Sequence, residues 1–311
     1  MALRDHLAGA GVRGPSVVAV GTFDGVHLGH SQLLGEVVRR ARVRGAAAVA
    51  ITFYPRPAEI LRPGPPLPYL CSIDERVRLL RSAGLDAVIV VPFDQSLSEM
   101  SAEDFCGQLV TGMTMVELVG GPDLALGHGR SGTPEVLRSI GERHGFELTI
   151  VPAFELGGVA VRTRVARQAL EAGDVNRVAH LLGRPFSVTG PVVHGQGRGR
   201  TIGVPTANVA VAANLAMPAN GVYAVRVWVG DHQWGGAANL GVRPTFGEQS
   251  RSLEIHLLDF TGDLYGQVCR VEFLERLRAE QRFSSVSELI SQIQRDIVEA
   301  RQVLSQQSPH R

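Results

Sequence analysis

Lysine is absent from this chain of 311 residues, so all 31 basic side chains are arginine. That absence excludes a lysine Schiff base and a Walker-type phosphate lysine; a nucleotide site here must use glycine-rich backbone, arginine, histidine or a metal ion. A coding bias explains the preference for arginine. Cysteine is scarce as well. Cys71, Cys106 and Cys269 are too few and too widely spaced for a zinc cluster or a disulfide framework, and they read as buried, reduced thiols of a cytoplasmic protein. No charge sign dominates: 31 basic against 30 acidic residues leave a net charge of +1 with no basic block, which argues against nucleic acid and anionic membranes as partners. No apolar run approaches membrane-spanning length. Arg4, Asp5 and Arg13 stand where a signal peptide would need an apolar core. No feature specifies an oligomeric state.

What is present is ordinary in amount and ordered in pattern. Apolar residues at 44% and charged residues at 20% suit a globular enzyme, and the length suits two domains with separate cores. Apolar strands at 17–20, 46–53, 87–93, 115–119 and 146–151 alternate with helical periodicity, which predicts a parallel, doubly wound sheet. Between the first two strands, a helix over 31–44 places Leu33, Leu34, Val37, Val38 and Ala41 on one face. Ser72 and Glu75 read as a capping box opening a helix that runs to Leu80. A further helix over 167–182 ends at Gly183, where the domain boundary is expected. Beyond it, strands at 188–194, 222–229, 234–240, 253–258 and 268–273 lie close together with turn residues between them, predicting a small antiparallel barrel. Ser285 and Glu288 cap a terminal helix that buries Val286, Leu289, Ile290, Ile293, Ile297 and Ala300, and residues 305–311 read as disordered.

The richest chemistry lies at Gly21-Thr22-Phe23-Asp24-Gly25-Val26-His27-Leu28-Gly29-His30, between the first strand and its helix. Glycines at 21, 25 and 29 let backbone N–H groups approach an anion, and the helix N-terminus adds partial positive charge. His27 and His30 stand beside that site, able to donate hydrogen bonds to a phosphoryl oxygen whose charge grows during displacement.

The stretch resembles the His-x-Gly-His nucleotidyltransferase superfamily, and its longer form resembles the bacterial bifunctional riboflavin kinase/FMN adenylyltransferases. A second signature of that family is present in Gly203-Val204-Pro205-Thr206-Ala207-Asn208, so the resemblance spans nearly the whole chain. It implies an FMN adenylyltransferase-like domain over 1–183 and a riboflavin kinase domain over 184–311, with riboflavin, FMN and ATP as substrates and Mg²⁺ accompanying ATP. In the first domain, it implies nucleotide and phosphate contacts at Gly21, Phe23, Asp24, Gly29, Thr163 and Arg164, and catalytic roles for His27 and His30. Flavin contacts are implied at Arg56, Asp123 and Leu124.

In the second domain, His194-Gly195-Gln196-Gly197-Arg198-Gly199-Arg200 resembles a phosphate-covering loop: Gly195 gives it freedom, and Arg198 or Arg200 can meet phosphate charge. By the same resemblance Pro205, Thr206 and Asn208 hold nucleotide phosphates, with Thr206 and Asn208 as hard oxygen ligands for the metal. Glu254 lies on a strand whose Leu253, Ile255 and Leu257 face the other way, and it matches the family's general base. Arg278 and Phe283 match a flavin-facing segment.

The first domain departs from the family pattern. Arg56 replaces a histidine, and Leu124 and Leu126 replace aromatics, a loss of order 0.5–1.5 kcal/mol per stacked pair. Where the family reads Ser-Ser-Thr-Arg-Ile-Arg, this chain reads Arg162-Thr163-Arg164-Val165-Ala166-Arg167. Anchored on Gln168-Ala169-Leu170, the family's threonine and arginine become Arg164 and Val165; anchored on Thr163-Arg164, the pair survives with an insertion after it. Two alternatives therefore accompany the bifunctional expectation: a monofunctional riboflavin kinase with a repurposed first domain, and a non-catalytic flavin- or nucleotide-binding regulator. Glu254, Thr206 and Asn208 argue against the latter, because a pure binder needs no general base.

Overall fold

The structure, a computed structural model, describes residues 3–62, 64–195, 197, 199, 202–245 and 248–307, with the side chains at 243–245 and 248–250 outside the description. The chain forms two compact units. The first comprises the chain up to Leu67 together with Ser72–Thr163; the second comprises Pro68–Cys71 and the chain from Arg164 onward.

The first unit is built on strands β1 (Ser16–Val20), β2 (Ala47–Phe53), β3 (Ala87–Val91), β4 (Met115–Gly120) and β5 (Glu147–Ile150). They pair in parallel in the order β3-β2-β1-β4-β5. Helices α1 (Leu3–Gly9), α2 (Leu28–Arg44), α3 (Pro57–Leu61), α4 (Ile73–Ser82), α5 (Gln95–Ser98), α6 (Ala102–Met113) and α7 (Pro134–His144) connect and flank them. Period-two alternation sorts the sheet into two cores. Val17, Ala19, Ala48 and Ala50 pack with Leu34, Val37 and Ala41 of α2 and Leu79 and Leu80 of α4. Val18, Val20, Val49 and Ile51 pack with Leu7 of α1, Phe105 and Leu109 of α6, and Leu137 and Ile140 of α7. Burial on both faces is why these strands read as continuous apolar runs. Strand order reverses between β1 and β4. The crevice beyond their carboxyl ends is where ligands bind in such sheets, and both the 21–30 turn and the turn after Gly120 start there.

Helix α2 begins at Leu28 rather than near Ser31, because His27 acts as its N-cap. Helix α4 continues two residues past Leu80, and the Ser72 hydroxyl accepts from the Glu75 amide at 3.2 Å. A short hairpin of β6 (Glu155–Leu156) and β7 (Val159–Ala160) turns at Gly157 and Gly158, with φ of 58° and 76°.

In the second unit, the helix expected over 167–182 is two helices, α8 (Thr163–Glu171) and α9 (Val175–Leu182). Gly173, at φ 80°, ends the first, and the Asp174 carboxylate accepts from the Arg177 amide at 2.9 Å to start the second. The expected boundary residue, Gly183, is the left-handed C-cap of α9. Strands β8 (Phe186–Val193), β9 (Ala207–Val209), β10 (Gly221–Val229), β11 (His232–Thr245), β12 (Glu248–Leu257) and β13 (Val268–Arg278) close into an antiparallel barrel in the order β10-β11-β12-β9-β8-β13.

The terminal helix α10 (Val286–Gln306) covers β10, β11 and β13, where Ala300 and Val303 pack with Ala224 of β10 and Leu274 of β13. Val286, expected on its buried face, is 62% exposed. The buried position is held instead by Asp296, whose carboxylate meets Arg278 at 2.8 Å. Because α10 runs through Gln306, the disorder expected from Ser305 does not begin there; residues 308–311 lie outside the described residues.

Pro68–Cys71 joins this unit through the segment before β10. The Tyr69 amide donates to the Asn214 carbonyl and the Ala216 amide to the Tyr69 carbonyl, both at 2.7 Å. Helix α9 packs on β8 and β13 through buried Val175, Val178, Leu181 and Leu182. At roughly 1.5–3 kcal/mol for each large apolar side chain withdrawn from water, a fragment starting at Arg184 is expected to melt well below one starting at Arg164, or to fail to fold. Both fragments lack Pro68–Cys71, so equal melting temperatures would show that α8 and α9 are dispensable.

Candidate active sites

At the start of α2 the two histidines form a reciprocal capping box. The His30 amide donates to His27 Nδ1 at 3.3 Å, and the His27 amide donates to His30 Nδ1 at 3.4 Å. The rings stack at 3.6 Å between centroids, 15° from parallel. A ring nitrogen that accepts a hydrogen bond carries no proton, so this geometry places the proton of each neutral imidazole on Nε2. The pair is thereby held as two Nε2–H donors at a helix N-terminus, where the dipole favours an anion. Heteronuclear NMR at neutral pH is expected to show unprotonated Nδ1 on both residues; an Nδ1–H tautomer at either would contradict the cap.

The turn itself is strained and filled. Phe23 at φ 46° and Val26 at φ 39° occupy a region that side-chain-bearing residues rarely adopt, at a cost of order 1–3 kcal/mol each. Their burial holds them there. The Phe23 ring meets His30 edge-on at 5.2 Å and lies over Gly21, where a Cβ would stand 3.0 Å from its Cζ. A Cβ on Gly29 would stand 3.2 Å from the His27 ring and 3.3 Å from the Val161 carbonyl oxygen. Glycine at 29 thus lets the segment leading to Thr163 lie against the histidine turn. Fully buried Arg76 braces the turn from below: its Nη1 donates to the Phe53 carbonyl at 3.0 Å and to Thr52 Oγ1 at 3.3 Å, and Thr52 donates to the Thr22 carbonyl at 3.0 Å. No local pattern in the sequence marks Arg76 for this role.

The residues at which the chain departs from the family are engaged within the protein. Arg56 is buried, with Nη1 on Asp24 Oδ2 at 3.3 Å, Nε on Glu59 Oε1 at 3.0 Å, and Nη2 on the Leu67 carbonyl. Leu124 presses on Gly120 and joins the core beside α6. Asp123 is exposed and pairs with Arg162 Nη1 at 2.8 Å, an arginine that the sequence reading gave no role. Thr163 is half-buried at the start of α8, and Arg164 is exposed. Burial pushes the Cys106 thiol up to about 12, so that thiol is no nucleophile.

The second site is assembled by strand register. Glu254 pairs with Asn208 across β12 and β9 and with Asn239 across β12 and β11, which sets the three side by side on one face. Leu253, Ile255 and Leu257 are buried on the opposite, inner face, leaving Glu254 and His256 half-buried on the outer one. Asn208 is 9% exposed. A Cβ on Gly195 would overlap the Asn208 amide, and one on Gly199 would strike the Val204 carbonyl and stand 3.4 Å from Thr206 Oγ1. The Val204 amide donates to the Gly199 carbonyl at 2.8 Å. Gly195 therefore lies against Asn208 and Gly199 against Val204 and Thr206, while Arg198 and Arg200 lie outside the described residues.

His256 Nδ1 meets the Pro205 carbonyl at 2.9 Å, and His194 stacks on Tyr265 at 3.9 Å. Alternation from Glu254 could have flagged His256; Asn239 becomes visible only through register. Arg278 is turned toward α10: Nε and Nη2 contact Asp296 at 2.9 and 2.8 Å, and the guanidinium lies 5.7 Å from the Phe283 ring centre.

A doubly wound unit with a phosphate-type turn at its switch point, followed by a barrel carrying a carboxylate beside amide and hydroxyl oxygens, defines a two-domain nucleotide-dependent transferase. The FAD synthetase family model matches residues 11–165 and the riboflavin kinase family model matches residues 182–304. The chain belongs to the bifunctional riboflavin kinase/FMN adenylyltransferase family. Curated relatives of that description include those of Escherichia coli K12, 38% identical over 295 residues and 94% of each chain, and of Bacillus subtilis 168, 33% identical over 290 residues, 92% of this chain and 91% of that one. A solved structure described as a macrolide-efflux protein from Streptococcus pneumoniae is 32% identical with a TM-score of 0.87, covering 93% of this chain and 95% of its own. The efflux designation belongs to that protein; among the described residues here no helix is long and apolar enough to cross a membrane.

Proposed function

We propose that the barrel face carrying Asn208 and Glu254 phosphorylates riboflavin and that the His27–His30 turn adenylylates FMN, with the functional boundary at Gly183. The observation that carries the kinase assignment is the register that sets Glu254 beside Asn208 while Gly195 packs on the same amide. Glu254 accepts the proton of the ribityl 5′-hydroxyl as that oxygen attacks the γ-phosphorus of ATP, and ADP leaves. Gly195 and Pro205 shape the phosphate cradle, and Arg198 and Arg200 meet phosphate charge.

The donor set suits Mg²⁺. The hydroxyl of Thr206 and the amide oxygen of Asn208 are the hard oxygens such an ion takes, and they would hold it together with phosphate oxygens. When bound, it neutralises charge on the nucleotide phosphates. Of the flavin-facing pair, Phe283 is the better contact, because the guanidinium of Arg278 is committed to Asp296.

At the first site the FMN phosphate attacks the α-phosphorus of ATP and pyrophosphate leaves. His27 and His30 donate from Nε2 to the phosphoryl oxygens, and Gly21, Phe23, Asp24 and Gly29 hold the turn that receives them. Thr163 and Arg164 belong to the nucleotide side; Arg56, Asp123 and Leu124 belong to the flavin side, where loss of the aromatics weakens affinity before chemistry. Two family matches on one chain favour the bifunctional reading over both alternatives. Cys71, Cys106 and Cys269, buried and in no disulfide, suit a reducing cytoplasm. The test follows FAD and pyrophosphate from FMN, Mg²⁺ and ATP alongside FMN from riboflavin. A preparation with active kinase that yields no FAD at any FMN concentration would move the assignment to the monofunctional kinase.

A further inference from the structure

We propose that His256 is a positioning residue of the kinase site, fixing the peptide that presents Thr206 to the nucleotide; this rests on the roles given above to Glu254, Thr206 and Asn208. Backbone pairing of β12 with β9 runs Leu253 to Val209, Glu254 to Asn208 and Ile255 to Ala207, and the β9 strand begins at Ala207. One residue further along, the side chain of His256 takes over, with Nδ1 2.9 Å from the Pro205 carbonyl. A carbonyl oxygen only accepts, so Nδ1 is the protonated nitrogen and donates.

The geometry makes this bond decisive for Thr206. The Pro205 carbonyl belongs to the planar unit that contains the Thr206 amide, so its direction sets how Thr206 leaves the turn. The proline ring already fixes φ at 205, leaving ψ as the soft torsion, and the imidazole holds that torsion. Glycine at 199 lets the backbone there approach the Val204 carbonyl, which a Cβ would overlap, one residue before Pro205. His256 and Glu254 alternate onto one face of one strand, so the anchor of the metal-side oxygens and the general base share a rigid element. A residue serving stability alone would shift the melting temperature without separating the two substrates.

The experiment uses the full chain with His256→Ala, His256→Asn and His256→Gln. The asparagine amide reaches about where Nδ1 lies; the glutamine amide reaches further. His256→Ala is expected to raise the KM for Mg-ATP roughly tenfold, the scale of one lost neutral hydrogen bond, with the KM for riboflavin and FAD formation from FMN unchanged. His256→Asn should return the KM for Mg-ATP to within roughly threefold of the parent, and His256→Gln should not. Hydrogen exchange over residues 203–208 should quicken in the Ala and Gln proteins and not in Asn. An unchanged KM for Mg-ATP in a folded His256→Ala protein overturns the proposal, as does an Asn protein as impaired as Ala at equal melting temperature. If His256→Ala fails to fold, the Asn and Gln proteins carry the same comparison. A parent with no kinase turnover refutes the kinase assignment, and the exchange pattern then decides the positioning claim alone.

Discussion

Glu254→Gln is expected to lower riboflavin phosphorylation roughly 10²–10⁴-fold while riboflavin affinity changes little, because the amide keeps the shape and hydrogen-bonding reach of the carboxylate and loses only its capacity to take a proton. The fall should lie in kcat. The residue is half-buried on the outer face beside Asn208 and Asn239, with the apolar interior carried by Leu253, Ile255 and Leu257, so the substitution leaves the barrel core intact. FAD formation from supplied FMN should survive, since it belongs to the other unit. Kinase turnover within a few-fold of the parent would make Glu254 a structural residue.

Replacing His27 and His30 together by alanine is expected to abolish FAD formation and leave FMN formation untouched. Removing one preorganised donor to developing phosphoryl charge costs about 10²–10³ in turnover, and the pair together falls below detection. Each histidine also caps α2, so the double variant loses a cap worth about 1 kcal/mol besides its chemistry. His27→Asn separates the two effects, because asparagine is a good N-cap and carries no imidazole Nε2–H. It should melt like the parent and still make FAD at least a hundredfold more slowly. Wild-type FAD formation in His27→Asn would show that His27 serves the helix alone.

The five strands of the sheet unit were legible in the sequence to within about two residues, since strands buried on both faces are uninterrupted apolar runs, whereas their order in the sheet came from the structure. The start of α2 was placed three residues late because histidine is not a usual N-cap and the box closes only when His30 is in place. Strand β9 reads as a turn motif: three residues carry no period, and they become a strand only by pairing with β8 and β12. Asn208 and Glu254, the residues proposed for the kinase, could be named but not assembled, because the register that joins them with Asn239 is a long-range property. Arg56, Leu124 and Arg278 matched motif positions, yet their partners Asp24, Gly120 and Asp296 were set by tertiary packing. Composition carried none of this.

Pro68–Cys71 gives the chain an unusual order of completion. Its four residues are made with the sheet unit, yet their backbone partners at 214 and 216 emerge from the ribosome about 145 residues later. At roughly 5–20 residues per second, that interval is about 7–30 s. During it the nascent sheet unit must keep the apolar side chains of Tyr69, Leu70 and Cys71 in reserve, at the moment when β3 and β4 are still being added. Translation speed through the barrel-coding half thus sets how long this apolar segment waits for 214 and 216, and slow codons before residue 214 should depress soluble yield more than the same codons placed after residue 257.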